Sequence, residues 1–198
     1  MDLNVPVILG TVREGRKSEA LARYVHMRLS SRPGVTSPFV DPRDHDFGNL
    51  RSRVIELPDL DPKEPATGIA ISDDLRRFIL QMHAADGFVI VTPEYNYSFP
   101  GALKNLLDST LRPWNRKPFG LVACGGVSGG LRAIDSLRQV IAGLEAVCVP
   151  SHVPVQGISR TFGPDGPLVD KDAWDKRIDK FLGDVEWYAR ALKAARST

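Results

Sequence analysis

Residues 88–111 read FVIVTPEYNYSFPGALKNLLDSTL and contain one complete strand–loop–helix unit. Phe88–Val91 is a continuous run of bulky apolar residues, which is typical of a strand that is buried on both faces. The polar segment Thr92–Gly101 follows with two prolines and a glycine, and Ala102–Leu111 is predicted as a short helix. A buried strand that leads through a loop into a helix predicts one repeat of a parallel α/β sheet.

The same unit recurs along the chain. Further buried strands are predicted at Val5–Leu9, Phe119–Cys124 and Ala146–Val149. Helices are predicted from a capping Ser18 to Pro33-Gly34, from about Ser72, at Leu131–Gly143 and at Asp172–Ala195. Since the strands are short, continuously apolar and separated by helices, we predict an α/β fold with helices on both faces of a parallel sheet.

The segment 34–53 departs from this pattern because prolines, glycine and many charges interrupt it. We interpret it as a loop insertion with room for a short strand near Val35–Val40, and we favour Arg53–Leu57 as the second strand. The chain of 198 residues has the length of one ordinary domain, so we predict a single domain over residues 1–198.

Composition limits the classes of partner. With 26 basic and 24 acidic residues the formal net charge is +2, which predicts neither nucleic-acid nor membrane binding. No apolar run approaches the length of a membrane span, and residues 1–10 do not resemble a secretory signal. Cys124 and Cys148 lie in apolar runs without metal or redox spacing, so we expect buried thiols, no metal site and a cytoplasmic protein.

Three loops follow predicted strands: the first loop (residues 10–18), the second loop (92–101) and the third loop (124–130). Ligands of open α/β sheets bind beyond the carboxyl ends of the strands, so these loops are predicted to form one site. The first loop leads into a helix N-terminus and is predicted to bind an anion with the side chains of Thr11, Arg13, Arg16, Lys17 and Ser18.

The first loop does not match the common nucleotide motifs. The dinucleotide pattern G-x-G-x-x-G is absent, since Val12 stands where the second glycine is needed. The Walker pattern nearly fits Gly10 to Ser18, but Arg16 is inserted before Lys17 and moves the lysine off its position. A nucleotide triphosphatase is therefore a minor alternative.

The second and third loops suit a flat heteroaromatic ligand. Two tyrosine rings and the backbone groups of Glu94–Asn96 would supply face contacts and hydrogen bonds in the second loop. The third loop reads CGGVSGG, and its glycines allow a ligand to approach the backbone closely.

The first and second loops together resemble the NADPH-dependent FMN reductase family of flavodoxin-like proteins. The resemblance rests on GTxRxGRxS at residues 10–18 and PEYNxSxPGxLKNxxD at residues 93–108, and it covers about residues 5–150. It implies a flavodoxin-like sandwich with a five-stranded sheet of order 2-1-3-4-5, bound FMN, and a homodimer or homotetramer. The resemblance implies that the first loop binds the FMN phosphate through Thr11, Arg13, Ser18, Glu19 and Ala20. It also implies that the second and third loops lie along the flavin ring, with contacts from Pro93, Glu94, Tyr95, Asn96, Ser98, Gly125, Gly126 and Ser128.

The resemblance implies an NAD(P)H oxidoreductase that passes hydride through FMN to a quinone, flavin, azo compound or metal oxyanion. Flavin supplies the reactive atoms, so we predict no catalytic side chain. Two alternatives are an electron-carrier flavodoxin, which the near-neutral charge disfavours, and a binding module without flavin, which the first two loops disfavour.

Overall fold

The computed structural model describes residues 2–45, 47 and 72–197. Five parallel strands form the central sheet, and two short pairs of strands flank it. In chain order the strands are β1 (Leu3–Asn4), β2 (Val7–Leu9), β3 (Val35–Thr36), β4 (Phe39–Val40), β5 (Phe88–Pro93), β6 (Pro118–Gly125), β7 (Val147–Gln156), β8 (Phe162–Gly163) and β9 (Gly166–Pro167).

The described residues also form six α-helices and two single turns of 3₁₀ helix, at Pro42–Asp44 and Arg112–Trp114. The α-helices are α1 (Ser18–Ser30), α2 (Asp73–His83), α3 (Gly101–Asp108), α4 (Leu131–Gly143), α5 (Ile158–Thr161) and α6 (Lys171–Arg196). No helix within the described ranges combines the length and the apolar character that a bilayer crossing needs.

The sheet order is β4-β2-β5-β6-β7. Counted along the chain this is 2-1-3-4-5, so the predicted fold class and strand order are confirmed. The second position belongs to Phe39–Val40, which lies inside the segment interpreted mainly as a loop insertion. The strand favoured at Arg53–Leu57 lies outside the described residues.

Helices cover both faces of the sheet. Apolar residues of α1 and α6, such as Leu21, Val25 and Phe181, form one core with the sheet, and residues of α2, α3 and α4 form the other. This three-layer arrangement leaves the carboxyl ends of the strands as the open edge where loops can hold a ligand.

Two glycines allow unusually close packing. A β-carbon at Gly120 in β6 would lie 2.5 Å from Val185 Cγ2 of α6, so the helix rests on bare strand backbone. A β-carbon at Gly10 would lie 2.5 Å from Thr92 Oγ1, so the first and second loops can leave the sheet side by side.

Strand β7 is longer than the predicted Ala146–Val149 and continues through Pro150 and Pro154 to Gln156. Because β7 is the edge strand, prolines are tolerated where they would break a central strand. The register between β6 and β7 shifts between Phe119 and Leu121, which accommodates the extra residues around Pro150.

The N-termini of α1 and α2 are capped differently. Helix α2 begins beside Ser72, as predicted, and the Ser72 hydroxyl caps it by accepting a hydrogen bond from the Leu75 amide at 3.1 Å. Ser18, in contrast, is the first residue of α1, and Lys17 occupies the cap position without a side-chain hydrogen bond. The Ser18 hydroxyl is therefore not used by the helix.

Candidate functional site

The three loops meet beyond the carboxyl ends of the adjacent strands β2, β5 and β6. A cavity of about 240 Å³ lies between them. Its walls come from the first two loops, from the end of β6 and from α5: Arg13, Gly15, Arg16, Lys17, Ser18, Pro93, Tyr95, Cys124 and Ile158. The predicted convergence of these loops is therefore present in the fold.

Thr11 and Tyr95 join the first loop to the second. The buried Thr11 hydroxyl and the Tyr95 hydroxyl are 2.9 Å apart, and the Arg13 amide donates to Thr11 Oγ1 at 3.3 Å. The Arg13 guanidinium lies over the Tyr95 ring, 3.9 Å from its centroid. These contacts hold Arg13 and Tyr95 at the cavity wall, with Thr11 buried behind them.

Arg16 holds the first loop in shape. Its side chain is 5% exposed and forms a two-pronged ion pair with Asp41, in which Nη1 donates to Oδ1 at 2.7 Å. The same guanidinium donates to the Thr11 carbonyl at 2.9 Å and to Glu19 Oε2 at 3.1 Å. Four donor contacts thus go to the protein itself, which makes Arg16 a brace for the loop.

The carboxylates around Arg16 have lowered pKa values. Burial disfavours ionisation of Asp41, but hydrogen bonds from Arg16 and the Arg43 amide outweigh it, and the pKa lies below its usual value. Hydrogen bonding from Arg23, with a further contribution from Arg16, lowers the pKa of Glu19. Both carboxylates therefore remain ionised at neutral pH and stay paired with Arg16.

Ser18 offers the clearest evidence of a ligand. Its residue is 3% exposed, and its hydroxyl has no hydrogen-bond partner among the described residues. A buried hydroxyl without a partner is costly, so such a group marks a position that another molecule would complete. Ser18 begins α1, where free backbone N–H groups favour an anion, and the cavity wall includes it.

The second loop turns sharply at two residues in the left-handed region. Asn96 and Tyr97 have φ values of 48° and 70°, and the amides of Tyr95 and Ser98 each donate to the other's carbonyl. We expected Glu94–Asn96 to provide backbone donors, but the Glu94 amide donates to Cys124 O at 2.8 Å. Within the described residues, only the Asn96 and Tyr97 amides at this turn remain without a partner.

Glu94 ties the second loop to the third. Its carboxylate accepts a hydrogen bond from the Ser128 hydroxyl at 2.6 Å and another from the Arg132 amide at 3.2 Å. The Arg132 guanidinium lies 4.0 Å from the centroid of the exposed Tyr97 ring and 3.5 Å from Glu94 Oε1. Glu94 and Ser128 therefore hold the second and third loops together in this structure.

The third loop depends on its glycines for different reasons. A β-carbon at Gly125 would lie 2.8 Å from the Gly130 amide nitrogen, so this position must stay bare for the loop to close. A β-carbon at Gly126 would meet no heavy atom within 4 Å, which leaves its backbone open to a ligand. Gly130 has a φ of 92°, a conformation that favours glycine.

The remaining predicted residues lie around the same loops. Pro93 lines the cavity, Ser98 closes the turn of the second loop, and Ala20 lines a neighbouring cleft. Cys124 lines the cavity, and burial raises its pKa to about 12, so the thiol stays protonated. The fold thus gathers the predicted residues at one edge of the sheet, and their ligand contacts stay predictions.

Three residues of this site were missed in the sequence. Asp41 pairs with Arg16, Arg43 donates to the carbonyls of Val12 and Arg13, and Arg132 lies against Glu94. Asp41 and Arg43 fall in the segment interpreted as an insertion. Only pairing Phe39–Val40 with the first strand would have placed them beside the first loop.

Comparisons with known proteins also indicate a flavin-dependent reductase. The family model described as NADPH-dependent FMN reductase matches residues 3–159. A quinone reductase from Escherichia coli K12 is 36% identical over 200 residues, which cover 95% of this chain and 96% of the relative. A probable NADPH:quinone oxidoreductase 2 from Oryza sativa subsp. japonica is 31% identical over 191 residues, which cover 91% of this chain and 86% of the relative.

A solved structure shares the fold. FerB, a flavoenzyme NAD(P)H:(acceptor) oxidoreductase from Paracoccus denitrificans, superposes with a TM-score of 0.68 at 21% identity. The superposition covers 94% of this chain and 98% of that one, so the likeness extends over the whole architecture.

Proposed function

The chain belongs to the NADPH-dependent FMN reductase family, and on that premise we propose that it moves hydride from NAD(P)H through FMN to a quinone at the three-loop cavity. Its activity is that of an FMN-dependent oxidoreductase. The observation that carries the site assignment is the buried, unpartnered Ser18 hydroxyl at the start of α1. The quinone is proposed because the quinone reductase from E. coli and the rice protein are named for that acceptor.

The first loop fits the phosphate of FMN. The Ser18 hydroxyl and the backbone N–H groups at the N-terminus of α1 would donate to phosphate oxygens, and Arg13 adds a positive charge. Micromolar binding needs about 8 kcal/mol, and a helix end alone contributes roughly 0.3–1 kcal/mol. Hydrogen bonds to a charged phosphate contribute roughly 1.5–3 kcal/mol each, so several of these donors must act together.

The second and third loops fit the flavin ring. The free amides of Asn96 and Tyr97 would donate to its polar edge, and Gly126 leaves room for close approach. Bound FMN supplies the hydride-accepting chemistry. The chain's own part is to hold the ring against the loops and to stabilise negative charge on it with backbone donors.

Finer properties of the protein are also proposals. We propose a homo-oligomer, supported by the exposed apolar side chains of Tyr97 (68%) and Val127 (93%) beside the cavity. We propose a cytoplasmic location, supported by two unpaired cysteines among the described residues. Light scattering during size-exclusion chromatography tests the first, and a monomer at micromolar concentration would contradict it.

The central experiment follows the visible spectrum of the FMN-loaded protein without air. We expect NADPH to bleach the flavin bands and a quinone to restore them. A protein that takes up FMN but is reduced only by a partner reductase would be a flavodoxin-type carrier. A protein that neither binds FMN nor oxidises NADPH or NADH with any quinone would overturn the proposed function.

Two substitutions test the assignment of the loops. Arg13→Ala should weaken FMN binding and spare riboflavin, which has no phosphate, whereas Asn96→Ala should change the binding of both. The matched control is Arg77→Ala, which removes an arginine whose side chain is 73% exposed on α2. Equal loss of both flavins in Arg13→Ala would remove Arg13 from the phosphate site.

A further inference from the structure

A second and larger cleft adjoins the three-loop cavity. It has a volume of about 620 Å³, within the range of small-molecule sites, and lies between α1 and the β8–β9 hairpin. Arg16 and Lys17 line both this cleft and the three-loop cavity, so the two spaces share a wall. None of the loop contacts described above fills it.

The cleft combines an apolar surface with cations at its rim. Ala20, Phe162, Pro164 and Leu168 provide the apolar part, and Leu168, which directly follows β9, is 59% exposed. An apolar side chain that is left open beside a cleft marks a surface that can gain from covering a flat organic group.

Two cations near the N-terminus of α1, Lys17 and Arg23, line the same cleft. Arg23 is held in place by Glu19, which accepts from its Nε at 2.9 Å and from its Nη2 at 2.6 Å. Lys17 is exposed and has no ion-pair partner among the residues that the structure describes. An unpaired ammonium and a fixed guanidinium in the wall of one cleft can both attract a phosphate group.

We propose that this cleft holds the adenosine 2′-phosphate half of NADPH, with Lys17 and Arg23 at the 2′-phosphate and Leu168 against the purine. The inference rests on the proposed function, because only an enzyme that uses a dinucleotide needs a second site for the half that does not react. The shared wall allows one molecule to reach from this cleft towards the three-loop cavity. Binding the remote half fixes the reacting ring in place.

The test uses adenosine 2′,5′-bisphosphate as the probe, titrated calorimetrically into FMN-loaded protein. We expect it to bind more tightly than AMP. In Lys17→Ala that advantage should fall about fivefold, the upper limit for an exposed charge pair, and the KM for NADPH should rise in parallel. Because Lys17 also lines the three-loop cavity, the readout is the ratio of the KM for NADPH to the KM for NADH in protein saturated with FMN, and we expect this ratio to rise about fivefold.

Leu168→Glu tests the purine wall, because it places a negative charge at the cleft. We expect weaker binding of both adenosine bisphosphate and AMP. Val169→Glu is the matched control, since Val169 is the next residue, is 56% exposed and does not line the cleft. Lys176→Ala, which removes an exposed lysine that lines neither cavity, is the control for Lys17→Ala.

The outcomes separate this inference from the proposed function. If wild type oxidises NADPH but Lys17→Ala and Leu168→Glu leave probe affinity and KM unchanged, the cleft assignment is wrong and the function stands. Release of FMN by the probe would also overturn it, because the probe would then occupy the three-loop cavity. Probe binding that depends on Lys17, in a protein that does not oxidise NADPH, would support the cleft and refute the function.

Discussion

Asp41→Asn tests whether Arg16 acts on FMN through the shape of the first loop. The substitution keeps the size of the side chain and one acceptor oxygen but removes the charge that pairs with Arg16. Since Arg16 also donates to Thr11 O and to Glu19, a loosened guanidinium should release the loop between these points. We therefore expect both a less stable protein and a weaker phosphate site.

The magnitude follows from burial. The Arg16 and Asp41 side chains are 5% and 11% exposed, so the pair lies almost out of water. Breaking a buried pair costs about 3–5 kcal/mol, and the oxygen that asparagine retains reduces this to about 2–3 kcal/mol. For a chain of this length the loss corresponds to a fall in Tm of about 4–12 °C.

Two assays measure the effect. Urea denaturation of the apoprotein gives the free energy of unfolding, and quenching of flavin fluorescence gives the Kd values for FMN and riboflavin. We expect the Kd for FMN to rise about tenfold, equivalent to about 1.4 kcal/mol, with little change for riboflavin. Asp44→Asn is the control, since Asp44 is exposed in the same 3₁₀ turn and its side chain has no partner among the described residues.

The opposite role for Arg16 gives the opposite result. If the Arg16 guanidinium bound the phosphate directly, Asp41→Asn would release it from its ion pair, and FMN would bind as well or better. That result would refute the loop-shape argument. The pH dependence offers a second check. The pKa of Asp41 is lowered by folding, so its stabilisation is full above the unfolded value of 3.8 and is lost as pH falls through the folded pKa. The difference in unfolding free energy between wild type and Asp41→Asn should therefore shrink as pH falls below 3.8.

Three further results are expected. Burial lowers the pKa of Lys117 to about 7, so between pH 7 and 10.5 the unfolded chain binds a proton that the folded chain does not. The free energy of unfolding of wild type relative to Lys117→Met, measured in urea, should therefore rise with pH over that interval. A difference that stays constant with pH would contradict the burial argument. Glu94→Gln should weaken FMN and riboflavin by the same factor, about five- to tenfold, because it loosens the ring loops and not the phosphate site; a changed ratio in fluorescence titrations would be inconsistent with that role. Gly120→Ala should lower the unfolding free energy by about 1–3 kcal/mol because the new methyl group would overlap Val185, and unchanged thermal unfolding would show that α6 can move away.

The sequence predicted the sheet and the edge where the loops meet because these depend on local patterns. Phe88–Val91 is a continuous apolar run and Leu131–Gly143 has apolar residues at helical spacing, and the structure places a strand and a helix there. The second strand was harder to find because Phe39–Val40 is only two residues long, and its pairing with β2 is a long-range contact. Strand β7 was cut short at Pro150 because its edge position cannot be read locally.

The candidate site was predicted as a set of residues, and their individual contacts required the fold. A charged side chain such as Arg16 looks like an anion ligand in sequence, but its partner Asp41 lies 25 positions away and enters only through β4. The Glu94 amide was likewise expected to donate to the ring, yet it donates to Cys124 O, and the Glu94 carboxylate accepts a hydrogen bond from Ser128. Both residues brace the loops because the sheet brings distant acceptors beside them.

The position of α6 in the chain has a consequence for biosynthesis. This helix supplies Ile178, Phe181 and Leu182 to one of the two cores, and it is translated after every strand of the sheet. While the ribosome is still producing residues 171–196, α1 alone packs on that face, and the apolar side chains that α6 will cover are open to chaperones or to a neighbouring nascent chain. The loops that form the cavity are thus synthesised early but gain a rigid support only when α6 docks.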